Sequence, residues 1–111
     1  MIELIIKEYF DTNFKYPLLL EFPDEDLDFF VLLDKISSDK QNSLNACTVA
    51  LQSYAPSLYE AAELNYAVIE TVEKMIELDE IAGIKLNTDH NFMDLERKRY
   101  RYQAVFNITH Y

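Results

Sequence analysis

The segment from Lys98 to Tyr111, KRYRYQAVFNITHY, alternates two kinds of side chain along its length. Arg99, Arg101, Gln103, Asn107 and Thr109 share one parity, and Tyr100, Tyr102, Ala104, Phe106 and Ile108 share the other. Successive side chains of a β-strand point to opposite faces, so this period of two specifies a long strand with a core face and an outer face. Only Val105 breaks the pattern. Such a strand needs partners on both sides and a cover on its apolar face, and the remainder of the chain has to supply them.

Two segments have the period of a helix. Ile2, Ile5, Ile6 and Tyr9 recur at three and four residues, which predicts a helix from about Ile2 to Thr12. Leu58, Ala61, Ala62, Val68, Ile69, Val72, Met75 and Ile76 form a longer stripe, predicting a helix from about Leu58 to Leu78. Ser57 and Glu60 ahead of it have the spacing of a capping box. At 1.5 Å per residue that helix is roughly 30 Å long, enough to cross a sheet. Its Met and apolar residues read as core, and its glutamates as a solvated face.

The other strands follow from composition. In YPLLLEFP, Pro17 and Pro23 remove backbone donors, so this stretch is an edge strand or an extended connector. PDEDLD is a polar loop. FFVLLDKIS predicts a strand over 28–37, and LNACTVALQSYA a second over 43–54, joined through SSDKQN by a longer hairpin loop. In the second of these, Cys47, Val49 and Leu51 lie on one side and Thr48, Ala50 and Gln52 on the other. That second side is small and mildly polar, either half-exposed or covered. Gly83, the sole glycine, sits where a helix-to-strand connection needs freedom. IKLN is a short strand, TDHNFMDLER a loop or hairpin tip, and the closing strand answers IKLN as its antiparallel partner. The sum is an α+β fold: one domain over residues 1–111, an antiparallel sheet of about four strands, and two helices packed on one face.

Composition narrows the function. The 111 residues carry 20 acidic and 10 basic side chains, a formal net charge of −10, which repels phosphate backbones and argues against specific nucleic-acid binding. One cysteine, Cys47, permits no internal disulfide, and its apolar setting reads as a small buried hydrophobe. No apolar run approaches the ~18 residues of a membrane span, and MIELIIKEYF lacks the features of a signal peptide. One glycine excludes glycine-rich phosphate loops. His90 with Asp89 and Asp94 could hold a metal or act as a base, but a hairpin tip offers no pocket to desolvate them. No serine elbow and no zinc spacing occurs. The expectation is a protein without catalytic residues, metal or cofactor.

The unusual quantities point to contact with other proteins. Four of the ten basic residues, Arg97, Lys98, Arg99 and Arg101, fall within five positions. Six of the eight tyrosines, Tyr54, Tyr59, Tyr66, Tyr100, Tyr102 and Tyr111, lie near the long helix and the last strand. Tyrosine and arginine are enriched where proteins meet. The candidate subunit interface is therefore Arg97, Lys98, Arg99, Arg101 and Gln103, meeting the acidic run of Asp24, Glu25 and Asp26 on another copy. Because Arg99 and Arg101 point away from the core, reversing both charges is expected to spare the fold and abolish assembly.

The strings ALQSYAPSLYEAAELN, IAGIKLNTDHNFMD and KRYRYQAVFNITHY carry a resemblance. From about Phe30 onward the chain resembles small structural proteins of tailed bacteriophages and prophages of Gram-positive hosts, the tail-terminator or head-to-tail joining class. The resemblance implies a non-enzymatic subunit with a sheet and helices on one side. It implies a homo-oligomeric, hexameric ring that caps the tail tube, meets tail-tube and connector proteins, and sits at the head–tail junction of the virion after synthesis in the bacterial cytoplasm. A minor capsid or connector-side adaptor, or a cytosolic protein-binding module, are the alternatives. The resemblance brings no catalytic residues with it.

Overall fold

The computed structural model describes residues 1–41 and 44–111. Helix α1 (Ile2–Asn13) is followed by strands β1 (Leu18–Leu19), β2 (Phe30–Gln41) and β3 (Leu44–Ala55). Helix α2 (Leu58–Lys74) runs into a 3₁₀ turn over Met75–Glu77, and strands β4 (Ile81–Asn91) and β5 (Tyr100–His110) complete the chain. The five strands form one mixed sheet in the order β1-β2-β3-β5-β4. The α+β class and the two helices match the expectation. The sheet differs from it by β1, which adds a fifth strand parallel to β2, with Leu18 opposite Val31. Pro17 accepts at its carbonyl, from the N–H of Val31 at 2.9 Å, which suits a residue with no donor to offer.

β3 is the centre of the sheet. It pairs antiparallel with β2 on one side and with β5 on the other, bringing Leu51 level with both Leu33 and Ala104. Those three side chains share a face with Val31, Cys47, Val49, Phe106 and Ile108, and all of them are buried. Ile6 and Phe10 of α1 and Leu64, Val68 and Val72 of α2 close over that face to make one core cluster. The helix stripes thus find their cover where the strand alternation requires it, and both helices lie on the same side. Ser57 caps α2 as its spacing predicts: its hydroxyl accepts from the Glu60 N–H at 3.2 Å and donates to the Glu60 carboxylate at 2.9 Å.

Two boundaries differ from expectation for one physical reason. Ser37–Gln41 belongs to β2, not to a loop, and the pairing continues to Gln41 opposite Leu44. The connection at 42–43, part of the expected hairpin loop, lies outside the described residues. Thr88–Asn91 likewise belongs to β4 and pairs with β5 as far as Tyr102. Ser37–Lys40 and Thr88–Asn91 are exposed whatever their parity, so no apolar alternation marks them as strand. Their polarity reads as loop although the backbone ladder continues.

Gly83 also has another role than the expected one. Its φ is not positive; it lies in β4 beside a register shift, and a Cβ there would approach the Thr109 Oγ1 to 2.8 Å. We expect Gly83→Ala to cost about 1–3 kcal/mol by overpacking, and less in a Thr109→Ala background, as measured by chemical denaturation. Phe106 is fully buried. Phe106→Asp should unfold the chain, since an unpaired buried charge costs several kcal/mol or more against a total stability of roughly 5–15 kcal/mol. A folded circular-dichroism spectrum for that variant would contradict the face assignment.

Candidate functional site

Among the described residues, no helix covers the outer face of the sheet. At one end of it, Phe30 of β2 and Tyr54 of β3 stack with ring centroids 4.6 Å apart, and Phe22 stands edge-on to both at 5.6 and 5.5 Å. The three arginines of the closing segment gather on this aromatic floor. The Arg97 guanidinium lies 4.1 Å from the Phe22 centroid, Arg101 lies 4.2 Å from Phe92, and Arg99 lies 5.3 Å from Phe30. Cation–π contacts are worth about 0.5–1 kcal/mol where exposed, as at Arg97, and up to about 2 kcal/mol where desolvated, as at Arg101.

The group that organises these arginines is Asp94. Its side chain is only 4% exposed, with Arg97 Nη1 at 3.2 Å and Arg101 Nη1 at 3.7 Å. Tyr54 donates its hydroxyl to Asp94 Oδ2 at 3.0 Å, and the Arg97 backbone N–H donates to Oδ1 at 3.1 Å. Arg101 in turn donates to the Tyr54 hydroxyl at 3.1 Å and, through Nε, to the Phe92 carbonyl at 2.6 Å. Asp94 and Arg99 exchange backbone hydrogen bonds of 2.9 and 3.0 Å, closing a four-residue loop over Leu95–Lys98. Lys98 takes the left-handed conformation, φ 56°, that lets so short a loop return.

Burial pushes the Asp94 carboxyl up. The Arg97 N–H, the Tyr54 hydroxyl, the Arg97 guanidinium and the Arg101 charge together outweigh it and hold the group below its ordinary value of 3.8. Tyr54 is raised, first by burial, with the Arg101 hydrogen bond opposing and the Asp94 hydrogen bond assisting.

The residues singled out from the sequence are distributed unevenly. Arg99 donates to the carbonyls of Leu27 and Asp28 at 2.6 and 3.5 Å, which ties the basic segment to the end of the acidic loop through backbone, not carboxylate, acceptors. Asp24, Glu25 and Asp26 are exposed beside it. Gln103 pairs with Gln52 at 2.8 Å on the outer face. Arg97 and Lys98 are exposed, whereas the Arg101 side chain is only 14% exposed. The expectation that reversing Arg99 and Arg101 spares the fold is therefore corrected: Arg101→Glu would set a carboxylate against buried Asp94.

Asp89, His90 and Asp94 do not converge. Asp89 accepts from Asn65 of α2 at 3.2 Å, and His90, its neighbour along β4, sits level with Gln103 of the outer face. His90 therefore lies in a strand, not at a loop tip. Among the described residues, no group of three or more His, Cys, Asp and Glu could hold a metal ion. The tyrosines separate too, with Tyr54 in the aromatic floor and Tyr59 and Tyr66 exposed on α2.

Sequence reasoning passed over a second feature, a groove of about 530 Å³ on the helix side of the sheet. Phe14, Tyr16 and Phe29 line one wall, with Tyr16 and Phe29 stacked at 4.8 Å. Glu60, Glu63 and Glu70 of α2 line the other wall, above Leu64 and Ala67. The signal for it was present in FKY (Phe14–Tyr16), an apolar pair outside both helical stripes.

No family model and no curated protein sequence matches the chain.

Asp94→Asn keeps the shape of the hairpin but loses its ion pairs, and we expect it to cost about 2–4 kcal/mol at neutral pH. A carboxyl depressed in the folded state contributes stability above its unfolded value and loses it as pH falls through the folded value. The advantage of the wild type over Asp94→Asn should thus be full above pH 3.8 and shrink below it. Denaturation curves of both proteins at several pH values check this.

Proposed function

We propose that the chain is a non-enzymatic structural subunit that self-associates into a ring at the end of a phage tail tube and joins it to the head connector. Its resemblance to the tail-terminator and head-to-tail joining class suggests this role. The observation that carries the reading is the one-sided layering of the fold. Two helices cover one face of the sheet, and the opposite face is a floor of short and paired side chains. Ala50 and Val105 face each other at its centre, flanked by the Gln52–Gln103 pair and by Thr48, which donates to Asn107 at 3.1 Å. Ala50 and Val105 are buried by their own neighbours, so what this face presents to another protein is its polar pairs and a hollow of about 620 Å³ lined by Thr48, Lys85, Asn107 and Thr109.

The charge balance supports the same role. Lys7 pairs with Asp11, Lys35 with Glu3, and Arg97 and Arg101 with Asp94, so much of the small basic complement is neutralised inside the subunit. An acidic remainder lets DNA pass a ring without adhering to it. Light scattering and negative-stain electron microscopy, with and without purified tail tubes, test the proposal. Rings in solution or caps on tube ends are expected. A protein that stays monomeric at high micromolar concentration and leaves tube ends unchanged would refute it.

A further inference from the structure

The hairpin that Asp94 holds presents an unusual tip. Leu95 is 78% exposed, and Phe92 and Met93 before it are exposed at 40% and 39%. Three large apolar side chains at the end of a short loop are poorly placed for a free surface. The loop is nevertheless fixed in shape, through the side-chain bonds to Asp94, the paired backbone bonds to Arg99 and the stacking of Arg97 on Phe22. A rigid apolar projection loses little conformational freedom when it docks. Arg97, Lys98, Arg99 and Arg101 outnumber Asp94 and Glu96 at this end of the hairpin, which leaves it net positive, with Lys98 exposed.

The groove on the helix side has the opposite character. Its floor and one wall are apolar and aromatic, and its rim carries Glu60, Glu63 and Glu70. Lys15 and Lys74 also line it, but the Lys15 ammonium is turned over the Tyr16 ring at 5.2 Å, and Lys74 lies at the helix end. The outer surface of α2 adds Glu73 against that one lysine.

We infer that the Leu95 hairpin tip of one subunit inserts into the α2 groove of a second copy, with Lys98 meeting Glu63 and Glu70. The inference rests on the self-association proposed above and names its contact. Arg99 is itself engaged within its own chain, on the carbonyls of Leu27 and Asp28, and is not free to reach another subunit. Tip and groove also lie on opposite sides of the sheet: Arg97 packs on Phe22 over the outer face, whereas the groove runs along α2. A contact between two different patches, made once with each neighbour, is heterologous: it propagates from subunit to subunit and closes as a ring where the rotation between neighbours permits.

Sedimentation velocity to high micromolar concentration tests the contact, with circular dichroism confirming that each protein is folded. Leu95→Asp removes the tip and leaves the groove; Glu63→Lys with Glu70→Lys alters the groove and leaves the tip. All three side chains are exposed, so the fold is spared. The wild type should form a multimer, and each variant should weaken association by about tenfold or more and sediment as a monomer. An equimolar mixture of the two variants keeps one intact tip and one intact groove, and should give a dimer and nothing larger. Variants that still form the wild-type multimer, or a mixture that stays monomeric, would overturn the inference while leaving self-association by another surface in place. A wild type that is monomeric throughout would also overturn it, since both surfaces are preformed in the free chain. The wider reading would then stand or fall on the tube ends alone.

Discussion

The pairing of β3 with β2 on one side and β5 on the other is the constraint on which the molecule depends. It brings Leu33, Leu51 and Ala104 level and turns the apolar parity of three long strands to one side. That side has to be covered, and the stripes of α1 and α2 are the surfaces available to cover it. A slip of one residue between β3 and β5 would carry Val49 and Phe106 to water, so the hydrophobic term and the ladder select the same register. The free outer face follows from the same arithmetic, because two apolar helix stripes are used on one face and none remains for the other.

At the end of the sheet the chain solves a different problem. The tip of the β4–β5 hairpin contributes no residue to the helix-covered core. In place of a core it has a buried carboxylate, ringed by donors from Tyr54, Arg97 and Arg101, on a floor of stacked aromatic rings. Charged groups are worth more in such a partly dry setting than on an open surface, where an ion pair contributes about 0–1 kcal/mol. Removing one member leaves the others desolvated and unpaired, which makes the cluster strongly interdependent. The arginines that look like a free basic patch in the sequence are largely committed to this task. The polar stretch around Asp94 is therefore a firmly held hairpin, and its exposed apolar tip is the part left to meet a partner.

Periodicity made the α+β class, both helices and the core faces of β3 and β5 legible in the sequence. Cys47, Val49 and Leu51, and Ala104, Phe106 and Ile108, lie where alternation places them because each pattern reports a single local geometry against a single buried side. The full lengths of β2 and β4 were not legible, since a strand wet on both faces leaves no parity to read. The parallel pairing of β1 was hidden as well, because two residues carry no period and their partner is set by a crossover. The same limit applies to Gly83, where the demand comes from Thr109, 26 residues away, and not from the backbone angles of a turn.

The candidate site shows this division at its sharpest. Parity alone put Arg99 and Arg101 on the outer face, and the fold agrees. Whether those side chains were free or occupied depended on Phe22, Phe30 and Tyr54, which reach them only through the strand order and the loop after β1. Asp94, read locally, was one carboxylate among twenty; long-range pairing of β5 with β3 brought Tyr54 to it and made it the centre of a buried cluster. Local pattern decides which way a side chain points, because backbone geometry repeats over a few residues. What a side chain meets is decided by the packing of segments distant in the chain, and only the folded structure carries that information.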